Sequence, residues 1–398
     1  MLITQRYLNR SLRQYSSGSR HYNSVVPYFS VKNLFSERNN FDEIIDVRTP
    51  AEYAEDRLDS AVNIPVLSDC ERVTVGRLYN RNSFEARKLG ASLISKNIGE
   101  HINNYFMNKP KHYKPLIYCW RGGQRSRSLA IILQEVGFQP SLLLGGYKDY
   151  RKLVRNTLFD ESDSSIFNRF NFIRVSGPTG SGKSLLLECL RDRGEQIIHL
   201  EQLARHKGSL LGQYPGERQP SQKLFETQLL EELETKFSSD KVIWIENESS
   251  KIGDIIIPLG LWRRMSSFER IQVNVNLEDR IEFIMNDYDY MCSEANLEQL
   301  LRILNSLEKW SGKKKVKVWR DLASERNYRE LVNSLIVDHY DINYKKPVRN
   351  PVKTFDIPEG LIMKRAELLQ SRVVNDIIDF GSKIMSQDLD IQESVNHC

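Results

Sequence analysis

Leu116-Ile-Tyr-Cys-Trp-Arg-Gly-Gly-Gln-Arg-Ser-Arg-Ser128 is the stretch on which the reading of this chain turns. Its first three residues form a short apolar strand that delivers Cys119 into a loop with glycines and arginines. The apolar period of Leu129–Val136 then predicts a helix. Strand, cysteine, tight loop and helix start place a sulfur where backbone N–H groups and a helix N-terminus converge. Both favour negative charge, so Cys119 is expected as a thiolate that meets an anionic substrate group. Arg121 and Arg125 add fixed charge, while Gly122 and Gly123 let amides turn inward without a Cβ. Trp120, Gln124 and Ser126 complete the loop. A buried structural cysteine at a strand end is the plainer alternative, and the surrounding Arg/Gly pattern argues against it.

Outward from this loop, Glu43–Val47 reads as a strand ending in Asp46-Val47-Arg48, and Ser60–Pro65 as a second. Asn97–Phe106 is expected to be helical. Ser141–Leu144 gives a further strand that ends at Gly145-Gly146-Tyr147. Such alternation indicates a small α/β domain with a parallel sheet, whose chemistry sits at the carboxyl ends of strands. Asp46 and Arg48 are then supporting residues on the edge that carries Cys119.

Asp160–Asn168 looks like a linker, and Phe172–Ser176 a strand that runs into Gly177-Pro-Thr-Gly-Ser-Gly-Lys-Ser184. This is GxxxxGK[ST] between a strand and a helix, Leu185–Asp192. Gly177, Gly180 and Gly182 let the turn aim amides at a diphosphate. Lys183 reaches the terminal phosphates, and Ser184 is placed to hold Mg²⁺. Strand Gln196–Leu200 ends in Glu201, and strand Lys241–Ile245 in Glu246-Asn247-Glu248. Glu246 and Glu248 suit a Walker-B-like position; a solvated strand end is the alternative. Arg205, His206 and Lys207 form a basic knot suited to phosphate contacts, or else surface decoration. Ser221 is an expected N-cap for Lys223–Phe237. Beyond Leu277 helices are expected at 278–289, 294–310, 318–338 and 361–385. Cations cluster at Lys313-Lys-Lys-Val-Lys317 and at Lys345, Lys346 and Arg349. Interleaved Trp310, Trp319 and Tyr344 could stack on RNA bases, although such runs are more often solvated faces.

The chain has 398 residues, enough for two or three domains, with 40% apolar and 27% charged residues. No apolar run is long enough to span a membrane. Five scattered cysteines lack any CxxC or His/Cys spacing, which argues against a disulfide framework and zinc; nothing calls for a flavin. The cations Arg6, Arg10, Arg13, Arg20 and Lys32 precede the first acid, Glu37, and equal the whole formal charge of +5. With Ser16, Ser17 and Ser19 they have the composition of a mitochondrial transit peptide, or of a disordered basic tail. The rest of the chain is net neutral, so nucleic acid must be met by local patches. The expected division is a basic extension over 1–36, an α/β domain over 37–158, a P-loop domain over 159–290 and a mainly helical region over 291–398.

The first domain resembles the rhodanese fold in Asp46-Val47-Arg48, Cys119 after a strand and Gly145-Gly146 after the next. Adding Cys-Trp-Arg-Gly-Gly-Gln-Arg-Ser, Gly-Gly-Tyr-Lys, Gly-Ser-Leu-Leu-Gly, Gln-Pro-Ser-Gln and Glu-Asn-Glu-Ser-Ser-Lys-Ile-Gly, the chain from Phe41 to Tyr288 is similar to the tRNA 2-selenouridine synthases. The resemblance implies a rhodanese-like domain with a parallel sheet, a P-loop NTPase-like α/β domain and a helical C-terminal region. It implies exchange of sulfur for selenium in 2-thiouridine at the wobble position of lysine, glutamate and glutamine tRNAs. Selenophosphate is then the selenium donor, with an S-geranyl intermediate made from geranyl diphosphate. Cys119 would attack the donor and carry a Cys–S–Se species, with Arg121, Arg125 and the loop amides on the phosphate. The P-loop would grip the geranyl diphosphate or a nucleotide. Alternatives are a sulfurtransferase or persulfide carrier, a cysteine phosphatase, since Cys119-x₅-Arg125-Ser126 has that spacing, and a non-enzymatic P-loop or tRNA-binding protein.

Overall fold

The computed structural model describes residues 25–209, 212–214, 216–344 and 353–396. Strands β1 (Tyr28–Phe29), β2 (Glu43–Asp46), β3 (Val62–Asn63), β4 (Pro115–Tyr118) and β5 (Ser141–Leu143) form one parallel sheet in the order β1-β5-β4-β2-β3. All four residues of β4 are buried, as expected of a strand with helices on both faces. From β2 the chain moves outward to β3, and from β4 outward to β5. The strand order therefore reverses between β2 and β4, and a crevice opens there at the carboxyl ends. Cys119 follows β4 directly.

Helices α1 (Pro50–Glu55), α2 (Asp69–Arg81), α3 (Ser83–His101), α4 (Gln124–Val136) and α5 (Gly146–Leu158) surround this sheet. Capping boxes, Thr49 with Glu52 and Ser68 with Glu71, start α1 and α2. The helix expected over 97–106 is the end of the longer α3, whose last turn widens over Ile102–Phe106. Helix α4 begins five residues before the expected Leu129, because the polar run Gln124–Ser128 supplies its first turn. The sheet also reaches into the stretch read as a basic extension, since β1 pairs with β5. Arg6, Arg10, Arg13 and Arg20, and the targeting expectation resting on them, lie outside the described residues.

A second parallel sheet holds β6 (Phe172–Ser176), β7 (Gln196–Ile198), β8 (Ile243–Glu246), β11 (Glu269–Asn274) and β12 (Lys353–Asp356) in the order β12-β11-β6-β8-β7. A small antiparallel pair, β9 (Lys251–Ile252) and β10 (Ile255–Ile256), lies outside it. The order reverses at β6, the strand that feeds the P-loop. Helices α6 (Lys183–Asp192), α7 (Gln222–Thr235, N-capped by Ser221) and α8 (Leu277–Asp287) follow. Next come α9 (Glu294–Ser306), α10 (Lys313–Ser324) and α11 (Tyr328–Leu335), and finally α12 (Arg372–Asn396). The single helix expected over 318–338 is two helices, broken where Arg326 adopts a left-handed φ of 59°.

The region 291–398 is mainly helical, as expected, and also contributes β12. That strand completes the second sheet, and Phe355, Ile362, Leu368, Val374 and Ile377 enter the core that holds Val175, Leu187 and Trp244. Only α9–α11 form a separate apolar cluster, with Leu304, Val316, Trp319 and Leu331. The two sheets also share a core. Tyr150 and Val154 of α5 pack with Phe225 and Leu229 of α7 in one continuous cluster. Arg151 pairs with Glu226 across this seam, and Arg38 with Glu231 at 3.1 Å. Removing one partner of such buried pairs costs about 3–5 kcal/mol, so the two halves are held in one arrangement.

Candidate active site

Cys119 is 3% exposed and lies at the floor of its loop. Its Sγ accepts the Gly123 N–H at 3.3 Å, and Ser126 Oγ lies 3.2 Å from both Sγ and the Gly123 carbonyl. The first N–H groups of α4 have no partner within the helix and open on the same loop. A close approach of backbones fixes the loop: Tyr147 and Lys148 donate their N–H groups to the Cys119 and Trp120 carbonyls at 2.9 Å. A Cβ on Gly146, at φ 61°, would lie 2.3 Å from the Cys119 oxygen. Trp120 stacks obliquely on Tyr147 at 5.2 Å between ring centroids. The cradle is thus polar on the side of sulfur that faces the loop and apolar behind it.

The two arginines are placed differently. Arg121 and Gln124 are exposed. Arg125 is held by Glu52 of α1, Nη1 to Oε2 at 2.7 Å, and the same carboxylate oxygen accepts the Thr49 N–H. Burial would raise the Glu52 pKa, but the Arg125 guanidinium and the Thr49 amide bring it below its ordinary value of 4.5. Nothing in the sequence links Glu52 to Arg125 across 73 positions; Thr49-Pro-Ala-Glu52 signals only a helix start. A group with a depressed folded-state pKa adds stability above its unfolded pKa and loses it as pH falls through the folded one. Glu52→Gln should therefore cost about 2 kcal/mol at neutral pH and flatten the loss of stability below pH 4.5. Urea unfolding across that range checks it; parallel curves for the two proteins would dismiss the clamp.

Asp46 and Arg48 stand on the expected edge but face inward. Their side chains are 0% and 1% exposed and joined at 2.6 Å. Arg48 also donates to the Asp56 carbonyl and lies 3.9 Å from the Tyr147 ring centre. Burial would lower the Arg48 pKa, and the Asp46 carboxylate raises it instead. They brace the crevice from below.

In the second half, Gly180 and Gly182 take left-handed φ of 80° and 67° in the loop between β6 and α6. Lys183 Nζ donates to the Gly177 carbonyl at 3.2 Å. Ser184 Oγ donates to Glu201 at 3.2 Å or Glu246 at 3.4 Å. Glu246 also accepts the Glu201 N–H at 2.8 Å and pairs with His199 at 3.0 Å. Glu201 and Glu248 are pushed well above the ordinary carboxylate range by burial, then by the nearby Glu246 charge, while Lys183 opposes the rise. Glu201, like His199, lay outside the residues singled out in the sequence, although it ends a strand in an acid as Glu246 does. No group of three or more His, Cys, Asp or Glu is arranged to enclose a metal among the described residues. The hard oxygens of Ser184, Glu201 and Glu246 suit Mg²⁺, which takes few protein ligands and completes its shell with phosphates and water.

A cleft of ≈ 700 Å³ opens on this loop, bounded by Lys183, Ser184, Glu201, Glu248, Phe283 and Ile362. Beyond Thr179, Ser209, Ile284 and Tyr288, which border both spaces, it adjoins a second chamber with almost wholly apolar walls: Met291, Leu300, Leu331, Leu335 and Ile336. Arg280 ties the P-loop to α8 and to the helices beyond, donating to the Thr179 carbonyl at 2.8 Å and pairing with Asp341 at 2.6 Å.

The basic knot is split: Arg205 and Lys207 line the cleft with Lys183, and His206 does not. Arg205 is exposed and left-handed at φ 49°. His206 is buried, which lowers its pKa. Lys207 pairs with Asp287 at 2.8 Å and lies within 4.3–5.3 Å of the Tyr288, Tyr290 and Tyr214 ring centres. Trp319 is 1% exposed and bonded to Ser334, so it cannot stack on a base, whereas Trp310 is 64% exposed. Lys345, Lys346, Arg349 and the Tyr344 side chain lie outside the described residues.

Comparison with known proteins agrees with this geometry. Residues 30–153 match the rhodanese-like domain, and residues 170–355 match the tRNA 2-selenouridine synthase AAA domain. The tRNA 2-selenouridine synthase of Bdellovibrio bacteriovorus is 36% identical over 65% of this chain and 66% of its own length. That of Nitrosomonas europaea is 34% identical over 62% and 63%, and that of Chromohalobacter salexigens 35% over 66% and 68%. The matched region thus spans just under two thirds of the length of the first two relatives.

Proposed function

Because the chain belongs to the tRNA 2-selenouridine synthase family, we propose that it converts 2-thiouridine at the tRNA wobble position to 2-selenouridine, using selenophosphate. The observation that carries this reading is the pairing of two anion-gripping loops, each at the reversal point of a parallel sheet, across one shared core. The cysteine loop takes the selenium donor. Its Gly123 amide, the Ser126 hydroxyl and the start of α4 stabilise negative charge on sulfur or on a bound phosphate. Arg121, free of any partner among the described residues, reaches over the phosphate, while Arg125 stays on Glu52.

The P-loop half serves an S-geranyl intermediate. A diphosphate lies along the loop amides with Lys183 on its terminal oxygens, and Ser184 with Glu201 or Glu246 would hold Mg²⁺ against it. The apolar chamber beside the loop favours a diphosphate with an isoprenoid tail over a nucleotide, since its walls offer little to a ribose or base. Alkylation makes chemical sense: an alkylthiolate leaves C2 of the base far more readily than thiocarbonyl sulfur. Import into mitochondria remains part of the proposal, on the basic, serine-containing composition of the residues that precede β1.

The test is nucleoside mass spectrometry after incubation with thiolated lysine, glutamate or glutamine tRNA, selenophosphate and geranyl diphosphate, each omitted in turn. Selenouridine should require selenophosphate, and the geranylated nucleoside should accumulate when only that donor is missing. No selenouridine with all three present would refute the assignment. Leu335→Trp, which fills the chamber, should raise the KM for geranyl diphosphate about tenfold or more while leaving inhibition by inorganic diphosphate unchanged.

A further inference from the structure

Helices α2 and α3 form a hairpin that the sequence reading did not single out. Helix α2 has no buried residue in its 13 positions. It packs on α3 through Val75, whose methyl lies 3.5 Å from where a Cβ on Gly90 would stand. The C-terminal half of α3 is rooted in the first domain's core by Ile94 and Ile98. The rest projects outward as a finger.

Its charges are unevenly engaged. Every acid on it has a partner: Asp69 accepts the Ala51 N–H, Glu71 closes the capping box and accepts from Asn97, Glu85 pairs with Lys88 at 2.7 Å, and Glu100 lies 3.9 Å from Lys96. Arg72, Arg77, Arg81 and Arg87 are all exposed and make no hydrogen bond or ion pair among the described residues. Arg77 and Arg81 lie one turn apart, while Arg72 and Tyr79, seven residues apart, share a different face. Positive charge therefore lies on both flanks of the finger. Near its turn at Asn82, Tyr79 and Phe84 are 54% and 64% exposed. In a chain whose charges otherwise nearly cancel, this is a local cationic surface with aromatic rings at the tip.

The base of the finger adjoins the site. Asp69, its first residue, is bonded to Ala51, whose neighbour Glu52 clamps Arg125 beside the cysteine loop. Resting on the tRNA reading above, we infer that the α2–α3 hairpin docks the anticodon arm. Its arginines contact phosphates on the two sides of the loop, and Tyr79 and Phe84 stack on unpaired bases. The arm is thereby brought against the domain that carries Cys119. An acidic protein could also meet free arginines, but it would give the exposed rings at the tip no unpaired bases to stack on.

The experiment measures affinity for a lysine tRNA transcript across salt concentrations. Replacing Arg72, Arg77, Arg81 and Arg87 together by Gln should lower the slope of log K against log salt by about three to four and weaken binding at least about tenfold at low salt. Tyr79→Ala with Phe84→Ala should weaken binding by roughly tenfold and leave the slope unchanged. All six side chains are exposed, so melting should stay at the wild-type temperature. Wild-type affinity and slope in both variants would overturn the inference while leaving the tRNA reading intact. Failure of the wild-type protein to bind tRNA would remove that reading itself.

Discussion

In a Cys119→Ser variant, formation of 2-selenouridine falls by roughly 10³-fold or more, whereas tRNA affinity and the yield of geranylated nucleoside hold at the wild-type level. The substitution keeps an atom that can accept from Gly123 and Ser126, so the cradle survives. Loss of activity then reports the nucleophile and not the fold. Electron balance sharpens the role. Selenium in selenophosphate is already at the selenide level, so a Cys–S–Se species formed from it needs an oxidant. Attack of the thiolate on phosphorus needs none: an S–P bond forms, the Se–P bond breaks and hydroselenide is released. On the proposed S-geranyl route, hydroselenide would then add at C2 of the alkylated base with loss of geranylthiol, and water would return the cysteine thiophosphate to thiol and phosphate. A loop lined by amides and a helix start suits a phosphoryl group. Trapped wild-type protein should accordingly carry phosphorus on Cys119, without selenium's isotope pattern. Undiminished selenouridine in the Ser variant would end the case for this residue.

The parts legible in the sequence are those whose signals are local. An apolar run followed by glycines and a polar helix start located the cysteine loop, and GxxxxGK[ST] located the P-loop, because a few neighbouring residues determine each. Contacts made across the chain left no such trace. Glu52 meets Arg125 only because α1 folds over the start of α4. Strand β12 is four residues with a single buried side chain, Phe355, and joins β11 only after the helices of 277–344 have been traversed. Trp319 was legible in principle: Val316, Trp319 and Ala323 recur at helical spacing and are all buried, so the lysines beside them drew attention to the wrong face. In the basic triplet a left-handed residue turns the chain at Arg205, so that His206 is buried while Arg205 and Lys207 both line the cleft beside Lys183.

Lys183→Ala should lower geranyl transfer by about 10²–10³-fold and leave selenation of tRNA already carrying the S-geranyl group near wild type. The cause is partly the lost contact to phosphate and partly the carboxylates beneath it. Glu201 and Glu248 hold protons above the ordinary carboxylate range because burial and Glu246 disfavour their charge, and Lys183 is the cation that opposes this. Groups with raised folded-state pKa values favour the fold at low pH, fully below the unfolded value of 4.5, and lose that contribution as pH rises through the folded value. Removing Lys183 lifts both further, so the variant should lose stability more steeply than wild type above neutrality. Adding Glu201→Gln should reduce that extra loss to the part due to Glu248, since an amide has no proton to give up. Thermal unfolding over rising pH separates the two effects. If the double variant regained stability but not geranyl transfer, the pH effect would be separate from the loss of transfer, which Lys183 and Glu201 would share at the substrate. Recovery of both would make it chiefly a counter-charge for the glutamates, and equal pH profiles in all three proteins would disconnect the lysine from the acidic cluster.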